Sequence, residues 1–166
     1  LITNGGQLLG DQDALEIVVG GTFYNLSGLV NTTGDLAIRA GRIVNQTLVH
    51  RYDTGYQQGY RYGTISSINA DGSALLESYS DIIFYGAQAS AGGTLTLDAS
   101  GSILLGAEIL QTGAHSRSGS YSRSSVSYLT SELGAEDTIS LMAGGNIVLQ
   151  AATIASDSGH IELLAG

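Results

Sequence analysis

The chain is acidic and has the length of a single domain: it contains 166 residues, with six arginines, no lysine and a formal net charge of −9. This charge makes nucleic acid or an anionic membrane a poor partner, and the absence of cysteine excludes thiol chemistry, disulfides and cysteine-based zinc sites. No apolar run approaches the length of a membrane-spanning helix, so no transmembrane segment is expected.

Alternating apolar residues recur along the chain at intervals of about 20 residues, the sign of a stacked repeat. The first inward apolar residue of each copy is taken as an anchor, in the order Leu15, Leu36, Leu75, Leu95, Ile139 and Ile161. Some steps between anchors are one period long, whereas the steps after Leu36 and Leu95 are about two periods long. Each long step therefore contains either a degenerate repeat unit or a long insertion.

Each copy has the pattern of a strand followed by a tight corner. Leu95 and Leu97 alternate with polar residues, the run meets Gly101, and a second apolar run follows from Ile103. Period-two alternation is typical of strands, and glycine suits the corner because it has no Cβ. The repeat therefore predicts an all-β parallel solenoid, in which each strand pairs with its copy in the next rung.

The inward positions of these rungs form the predicted hydrophobic core. Its members are aliphatic: Leu15, Ile17, Leu36, Ile38, Leu95, Leu97, Ile103, Leu105, Ile139, Leu141, Ile147, Leu149, Ile161 and Leu163. Glu77 is an exception, because it falls where other rungs place leucine or isoleucine, and a buried carboxylate without partners is costly. We therefore expect a local shift of register at Glu77 rather than a functional buried acid.

Two segments, residues 47–72 and 112–137, interrupt the pattern and resemble each other in composition. Both are rich in Tyr, Ser, Gly and Arg, a composition typical of recognition surfaces. The candidate surface contacts are Arg51, Tyr52, Tyr56, Tyr60, Arg61, Tyr62, Arg117, Tyr121, Arg123 and Tyr128. The alternative is a long β-hairpin or an irregular rung packed on the rod, with the arginines solvated. Both alternatives place the two segments outside the core.

The sequence offers no constellation that points to catalysis or metal binding. The nearest carboxylates are Glu77, Asp81, Asp98 and Glu108, but Asp98 follows an inward leucine and should point to solvent, so no facing carboxyl pair is expected. The paired glycines lack the Gly-x-Asp continuation of calcium-binding solenoids. We therefore expect no enzymatic activity, no cofactor and no metal site.

Three Asn-x-Ser/Thr triplets begin at Asn25, Asn31 and Asn45. They match the acceptor pattern for N-glycosylation. Asn25 and Asn45 also fall at nearly the same position of successive repeats, which instead favours a stacked amide ladder between rungs.

One phrase recurs at residues 42–46 (RIVNQ), 92–99 (GGTLTLDA) and 141–147 (LMAGGNI), with an insertion rich in Ser, Tyr and Arg between copies. It resembles the haemagglutinin repeats of filamentous haemagglutinin-like exoproteins, which include adhesins and contact-dependent growth inhibition effectors. The resemblance implies a right-handed parallel β-helix, two-partner secretion through an outer-membrane partner, and a secreted or cell-surface location in a Gram-negative bacterium. It carries no catalytic residue.

The combined prediction is a single β-solenoid segment over residues 1–166, cut from a longer array, that acts as a structural shaft in a large secreted surface fibre. Two alternatives stay open. The tyrosine- and arginine-rich insertions could form a lateral surface that binds a glycan or protein of a host or target cell. Alternatively, the segment could serve translocation of a growth-inhibition toxin.

Overall fold

The computed structural model, which describes residues 1–11, 14–55, 57–115 and 122–166, is a parallel β-helix. Each rung contributes short strands that pair in parallel with the strands of the rungs before and after it, and a separate antiparallel sheet lies outside this stack. The predicted fold class is confirmed. Within the described ranges, no helix is long and apolar enough to cross a membrane.

The strands are numbered in chain order, and their bounds are β1 Ile2–Asn4, β2 Gln7–Gly10, β3 Ala14–Leu26, β4 Leu29–Thr32, β5 Asp35–Gln46, β6 Val49–Asp53, β7 Gln57–Tyr62, β8 Ser67–Ala70, β9 Ala74–Ser78, β10 Ile82–Tyr85, β11 Gln88–Ala91, β12 Leu95–Ala99, β13 Ile103–Gly106, β14 Glu108–His115, β15 Ser122–Leu129, β16 Ser131–Ala135, β17 Ile139–Ala143, β18 Ile147–Leu149, β19 Ala152–Ser156 and β20 Ile161–Ala165.

Three faces surround the core. The first face contains the first halves of β3 and β5, then β9, β12, β17 and β20. The second contains β1, the second halves of β3 and β5, then β10, β13 and β18. The third contains β2, β4, β8, β11, β16 and β19. We number the rungs along the chain, so that rung 3 contains β5 and β8, rung 4 contains β9 to β11, rung 5 contains β12, β13 and β16, and rung 6 contains β17 to β19.

Inward side chains of the three faces form one continuous hydrophobic core. Most of the predicted core residues are buried there: Leu36, Ile38, Leu95, Leu97, Ile103, Leu105, Ile139 and Leu141. Leu15, Ile17 and Ile147 pack against this core partly buried. Leu149, Ile161 and Leu163 hold the predicted inward register but are exposed, because no later strand of the structure covers them.

The register of rung 4 differs by one residue from the predicted one. Ala74 pairs with Leu95 and is buried, whereas Leu75, the predicted anchor, points outward. The prediction of Leu75 as an inward residue is therefore wrong, and the expected register shift at Glu77 is confirmed. Glu77 lies on the outside of the first face, where its Oε2 accepts a hydrogen bond from Arg39 Nε at 2.9 Å.

A buried polar ladder joins rungs 2 to 4. Asn25 Nδ2 donates to Asn45 Oδ1 at 2.9 Å, and Asn45 Nδ2 donates to the carbonyl oxygen of Gln88 at 3.0 Å. Ser66 Oγ also donates to Asn45 Oδ1, at 2.7 Å. Both asparagines are fully buried, so the predicted ladder is confirmed and neither amide can accept a glycan in the folded chain.

Candidate functional site

Both interruptions of the repeat are β-hairpins that leave the rod at the corner between the second and third faces. Strands β6 and β7 form the first hairpin, residues 49–62, and β14 and β15 form the second, residues 108–129. These bounds differ from the predicted insertions, 47–72 and 112–137, because β8 and β16 belong to the third face. Each long step of the sequence is thus one rung with a hairpin, not two rungs, since β5 pairs directly with β9 and β12 with β17.

The same corner takes a different form in the other rungs. In rungs 1, 2, 4 and 6 one residue with a left-handed backbone turns the chain: Gly5, Ser27, Gly86 and Ala151, with φ of 63°, 47°, 54° and 53°. In rungs 3 and 5 the chain instead runs outward into the hairpins. The hairpins therefore occupy alternate rungs, with the plain corner of rung 4 between them.

The two hairpins join into one antiparallel sheet with the order β6-β7-β14-β15, which we call the hairpin sheet. At the seam, Gly59 pairs with Thr112. Tyr62 Oη lies within hydrogen-bond distance of two carbonyl oxygens of the second hairpin, 3.2 Å from that of Glu108 and 3.1 Å from that of Ser127.

The spacing of the rungs explains why the hairpins pair. Rungs 3 and 5 are two strand spacings apart, roughly 9–10 Å, and a two-stranded hairpin is equally wide. Hairpins in alternate rungs can therefore lie edge to edge at normal strand distance. Hairpins in adjacent rungs would be only about 5 Å apart and would overlap.

The strand register assigns the described side chains of the hairpin sheet to two sides, because directly paired residues of antiparallel strands share a side. The apolar side carries Val49, Arg51, Asp53, Tyr60, Tyr62, Ile109, Gln111, Ser124, Val126 and Tyr128. The arginine side carries His50, Tyr52, Arg61, Glu108, Leu110, Arg123, Ser125, Ser127 and Leu129.

The apolar side exposes four large side chains to solvent. The exposed fractions are 43% for Tyr60, 54% for Ile109, 53% for Val126 and 63% for Tyr128. Ile109 and Tyr128 are directly paired, and shallow depressions lie on either side of Ile109, one beside Tyr60 and one beside the corner of rung 6. A contiguous apolar surface of this kind on a rigid sheet is typical of an interaction site.

The comparison with protein families agrees with this stacked architecture. The haemagglutinin repeat family matches residues 2–49 and 84–159, well over half of the chain, and the second match includes the whole second hairpin. The chain belongs to the haemagglutinin repeat family. It is therefore a repeat segment of a large secreted, adhesin-like protein, in a family of secreted or cell-surface bacterial proteins. No curated protein and no solved structure matches the chain.

Two of the tyrosines predicted as surface contacts of this haemagglutinin repeat segment also have contacts inside the hairpin sheet. Tyr52 lies opposite Gly59, and its hydroxyl oxygen would be 3.1 Å from a Cβ built there, so the ring covers the glycine. Tyr62 joins the two hairpins through its hydroxyl group.

The remaining predicted contacts are divided between the two sides of the sheet. Arg51, Tyr60 and Tyr128 are on the apolar side, and Arg61 and Arg123 are on the arginine side; all five are exposed. Tyr56, Arg117 and Tyr121 lie outside the described residues.

The sequence reading missed Ile109 and Val126, which complete the exposed surface. Ile109 precedes the predicted second insertion, which begins at residue 112, whereas the hairpin begins at Glu108. Period-two alternation across residues 122–129 was the signal that could have identified Val126.

Charge is segregated between the hairpins and the rod. The hairpin segments, residues 49–62 and 108–129, contain four arginines and two acidic residues, a net charge of +2. The rest of the chain contains two arginines and thirteen acidic residues, a net charge of −11. Among the described residues of the hairpin sheet, Arg61 and Arg123 share the arginine side with Glu108, whereas Arg51 shares the apolar side with Asp53.

Three of the carboxylates singled out in the sequence have identifiable partners or neighbours in the structure. Glu77 pairs with Arg39, and Asp81 Oδ1 accepts a hydrogen bond from the Ser102 amide at 3.0 Å. Asp98 points outward from the first face, beside Glu77. Among the described residues, no group of three or more His, Cys, Asp or Glu side chains could hold a metal ion.

Proposed function

We propose that this haemagglutinin repeat segment is a structural shaft that carries other parts of a large surface fibre away from the cell. The observation that carries the proposal is the unbroken parallel pairing along the first face, from β3 through β5, β9, β12 and β17 to β20. Each rung covers the inward side chains of the rung before it and adds about 4.8 Å of length. The role is mechanical and involves no catalytic step and no cofactor.

The cellular context of the shaft is part of the same proposal. The parent protein is exported by two-partner secretion from a Gram-negative bacterium, through an outer-membrane partner. What supports this is membership of the haemagglutinin repeat family together with the cysteine-free composition, which suits a chain that must stay unfolded during export.

The shaft role is tested by deleting this segment from the parent protein. The fibre should become shorter by roughly 30 Å, because six or seven rungs are removed at the normal strand spacing. Secretion and cell attachment should be retained. Electron microscopy of the fibre measures its length, and a cell-binding assay measures attachment. Loss of attachment by a secreted, folded fibre would show that the segment does more than set length.

The exposed apolar side of the hairpin sheet favours a second candidate function, a lateral binding surface. Its test replaces Tyr60 and Tyr128 with serine in the parent protein. The matched control is Tyr79→Ser, because Tyr79 is exposed on the rod and away from the hairpins. Attachment to target cells should fall several-fold for the hairpin variant alone. Equal attachment by both variants and the parent would rule out the binding surface.

A further inference from the structure

The outside of the second face carries a row of apolar side chains that runs along the rod. We call it the apolar row, and its members are paired in register, one from each rung: Ile2, Tyr24, Val44, Ile83, Leu104 and Val148. Ile2 and Val148 are exposed, Val44 is buried between its neighbours, and the other three are partly exposed. The second face therefore presents a continuous apolar surface to solvent.

The same face carries almost no net charge, although the rod is acidic. Among the residues of its strands only Arg42 is charged, and its Nη2 lies 3.7 Å from Oδ2 of Asp81 in the next rung. In contrast, the outside of the first face carries Glu77 and Asp98, and the third face borders on a corner with acidic residues such as Asp71. Two rods therefore repel each other through these other sides, and the second face is where they can approach closely.

We propose that the apolar row docks against the apolar row of a second copy of this chain, so that two shafts lie side by side and point in the same direction. In such an isologous contact both copies contribute the same surface, which must therefore be compatible with itself. A face that is apolar and has almost no net charge meets this condition. The inference goes beyond the shaft role and does not depend on the hairpin binding surface proposed above, because it uses a different surface.

The position of the hairpin sheet determines the relative direction of the two shafts. Its arginine side borders on the outside of the second face, because Gln46 Nε2 donates to Glu108 Oε1 at 3.2 Å. In antiparallel shafts with overlapping rungs, both hairpin sheets would project from the same edge of the contact, and Arg61 and Arg123 of one sheet would face those of the other. In parallel shafts the two sheets project from opposite edges, so this repulsion is absent.

The parallel arrangement also pairs the polar groups that flank the apolar row. A two-fold axis along the rods brings each rung opposite the same rung of the second copy, so Ile83 meets its own copy. The flanking outward positions are exchanged, which places Asp81 opposite Tyr85 and Arg42 opposite Gln46. The Tyr85 hydroxyl can then donate to the Asp81 carboxylate, and the Arg42 guanidinium can donate to the Gln46 amide oxygen.

The contact between two copies of this chain is small. Six rungs extend over about 24 Å along the rod, and five residues of each strand give a width of about 16 Å. The face thus offers roughly 400 Å² to a partner, about half of what a stable interface buries on each side. The pair should therefore be weak and should be observed at high concentration.

The test uses small-angle X-ray scattering and sedimentation velocity on the chain, from about 10 μM to about 1 mM, a range suited to a weak contact. We expect the mass to rise towards that of a dimer and the cross-sectional radius to increase at constant length. Raising NaCl to about 0.5 M should strengthen the association, because salt screens the repulsion between the acidic rods. A monomer at every concentration, association that salt weakens, or rods that only lengthen end to end would overturn the proposal.

Two matched variants locate the contact on the second face. Ile83→Glu should weaken lateral association at least tenfold, because like charges then face each other across the two-fold axis. Leu75→Glu is the control: Leu75 lies in the same rung, is also partly exposed and points outward, but belongs to the first face. It should associate like the unmodified chain. Circular dichroism checks that both variants keep their strands. Equal association of the two variants would show that another surface makes the contact.

A mixing experiment tests the parallel orientation. Ile83→Glu and Ile83→Arg chains should each be monomeric alone, whereas an equimolar mixture should associate laterally, because position 83 of one chain meets position 83 of the other. In antiparallel shafts with all six rungs overlapped, position 83 would instead face Val44, and the mixture would not associate. Lateral association of the unmodified chain without rescue in the mixture would therefore overturn the parallel pair. Rescue also shows that both variants are folded.

Discussion

At the scale of single residues, the corner between the second and third faces depends on what a left-handed backbone permits. Gly86 and Ala151 hold this corner in rungs 4 and 6 with nearly the same φ, 54° and 53°. The conformation costs a residue with a Cβ about 1–2 kcal/mol, whereas glycine adopts it freely. Gly86 has a second constraint, because a Cβ there would lie 2.8 Å from the Cβ of Glu108 in the second hairpin.

Opposite effects are therefore predicted for two substitutions at equivalent corners. Ala151→Gly should raise the free energy of unfolding by about 0.5–1 kcal/mol, since strain is relieved at some cost in chain entropy. Gly86→Ala should lower it by about 2 kcal/mol or more, since strain and a clash are both introduced. Urea denaturation followed by circular dichroism measures both changes. A shift in the same direction for both variants would contradict this account of the corner.

The asparagine ladder gives a second prediction at this scale. Asn45→Ala should lower the free energy of unfolding by about 2–4 kcal/mol, because it leaves the Asn25 amide and the Ser66 hydroxyl buried with fewer partners. The control is Asn31→Ala, a partly exposed asparagine of the third face, which should change stability by about 0.5 kcal/mol or less. Thermal and urea unfolding measure the free energy of unfolding of both variants. Equal values for the two variants would show that the ladder is not a stabilising element.

At the scale of the elements, the hairpin sheet depends on the two-rung distance between its hairpins. Deleting residues 74–94 joins Ser73 to Leu95 and keeps the inward register of the first face, since Leu95 takes the position of Ala74. The two hairpins then leave adjacent rungs, where they have about half of the width they need. The prediction is that the hairpin sheet cannot form in this variant, although the rod still stacks.

Trypsin provides the measurement, because the chain has no lysine and four of its six arginines lie in the hairpin segments. The variant lacking residues 74–94 should be cleaved rapidly at Arg51, Arg61 and Arg123, the hairpin arginines that the structure describes. The matched control lacks residues 139–160, joins Thr138 to Ile161 in register, and keeps the two-rung distance between the hairpins. It should be cleaved as slowly as the full chain. Equal protection of the hairpins in both variants would disprove the spacing argument.

At the scale of the whole molecule, the rod and the hairpin sheet divide two physical roles. The rod buries aliphatic side chains along its axis and carries a net charge of −11, so parallel rods repel each other by their charge. The hairpin sheet projects from one corner of the rod and exposes large apolar side chains on one of its sides.

Local sequence could predict those parts of the structure in which a residue's position follows from its neighbours. The alternation around Leu95 and Leu97 was sufficient to predict the strands, and the glycine that follows was sufficient to predict the corner. Asn25 and Asn45 fall at nearly the same position of successive repeats, and this was sufficient to predict the ladder. Leu75 was misplaced because two leucines stand side by side there, and either could be the inward one. The pairing of Ala74 with Leu95 in the next rung resolves that ambiguity. This pairing cannot be read from the local alternation of apolar and polar residues.

The sequence by itself determined the stacked parallel rod, because its period of about 20 residues and its period-two alternation are properties of a short window. It also located the two interruptions and their tyrosines and arginines. Only the tertiary structure decided that the interruptions form one sheet with an exposed apolar side around Ile109. The physical reason is that β7 and β14 are far apart in the chain, and they meet only because two rungs are as thick as one hairpin is wide.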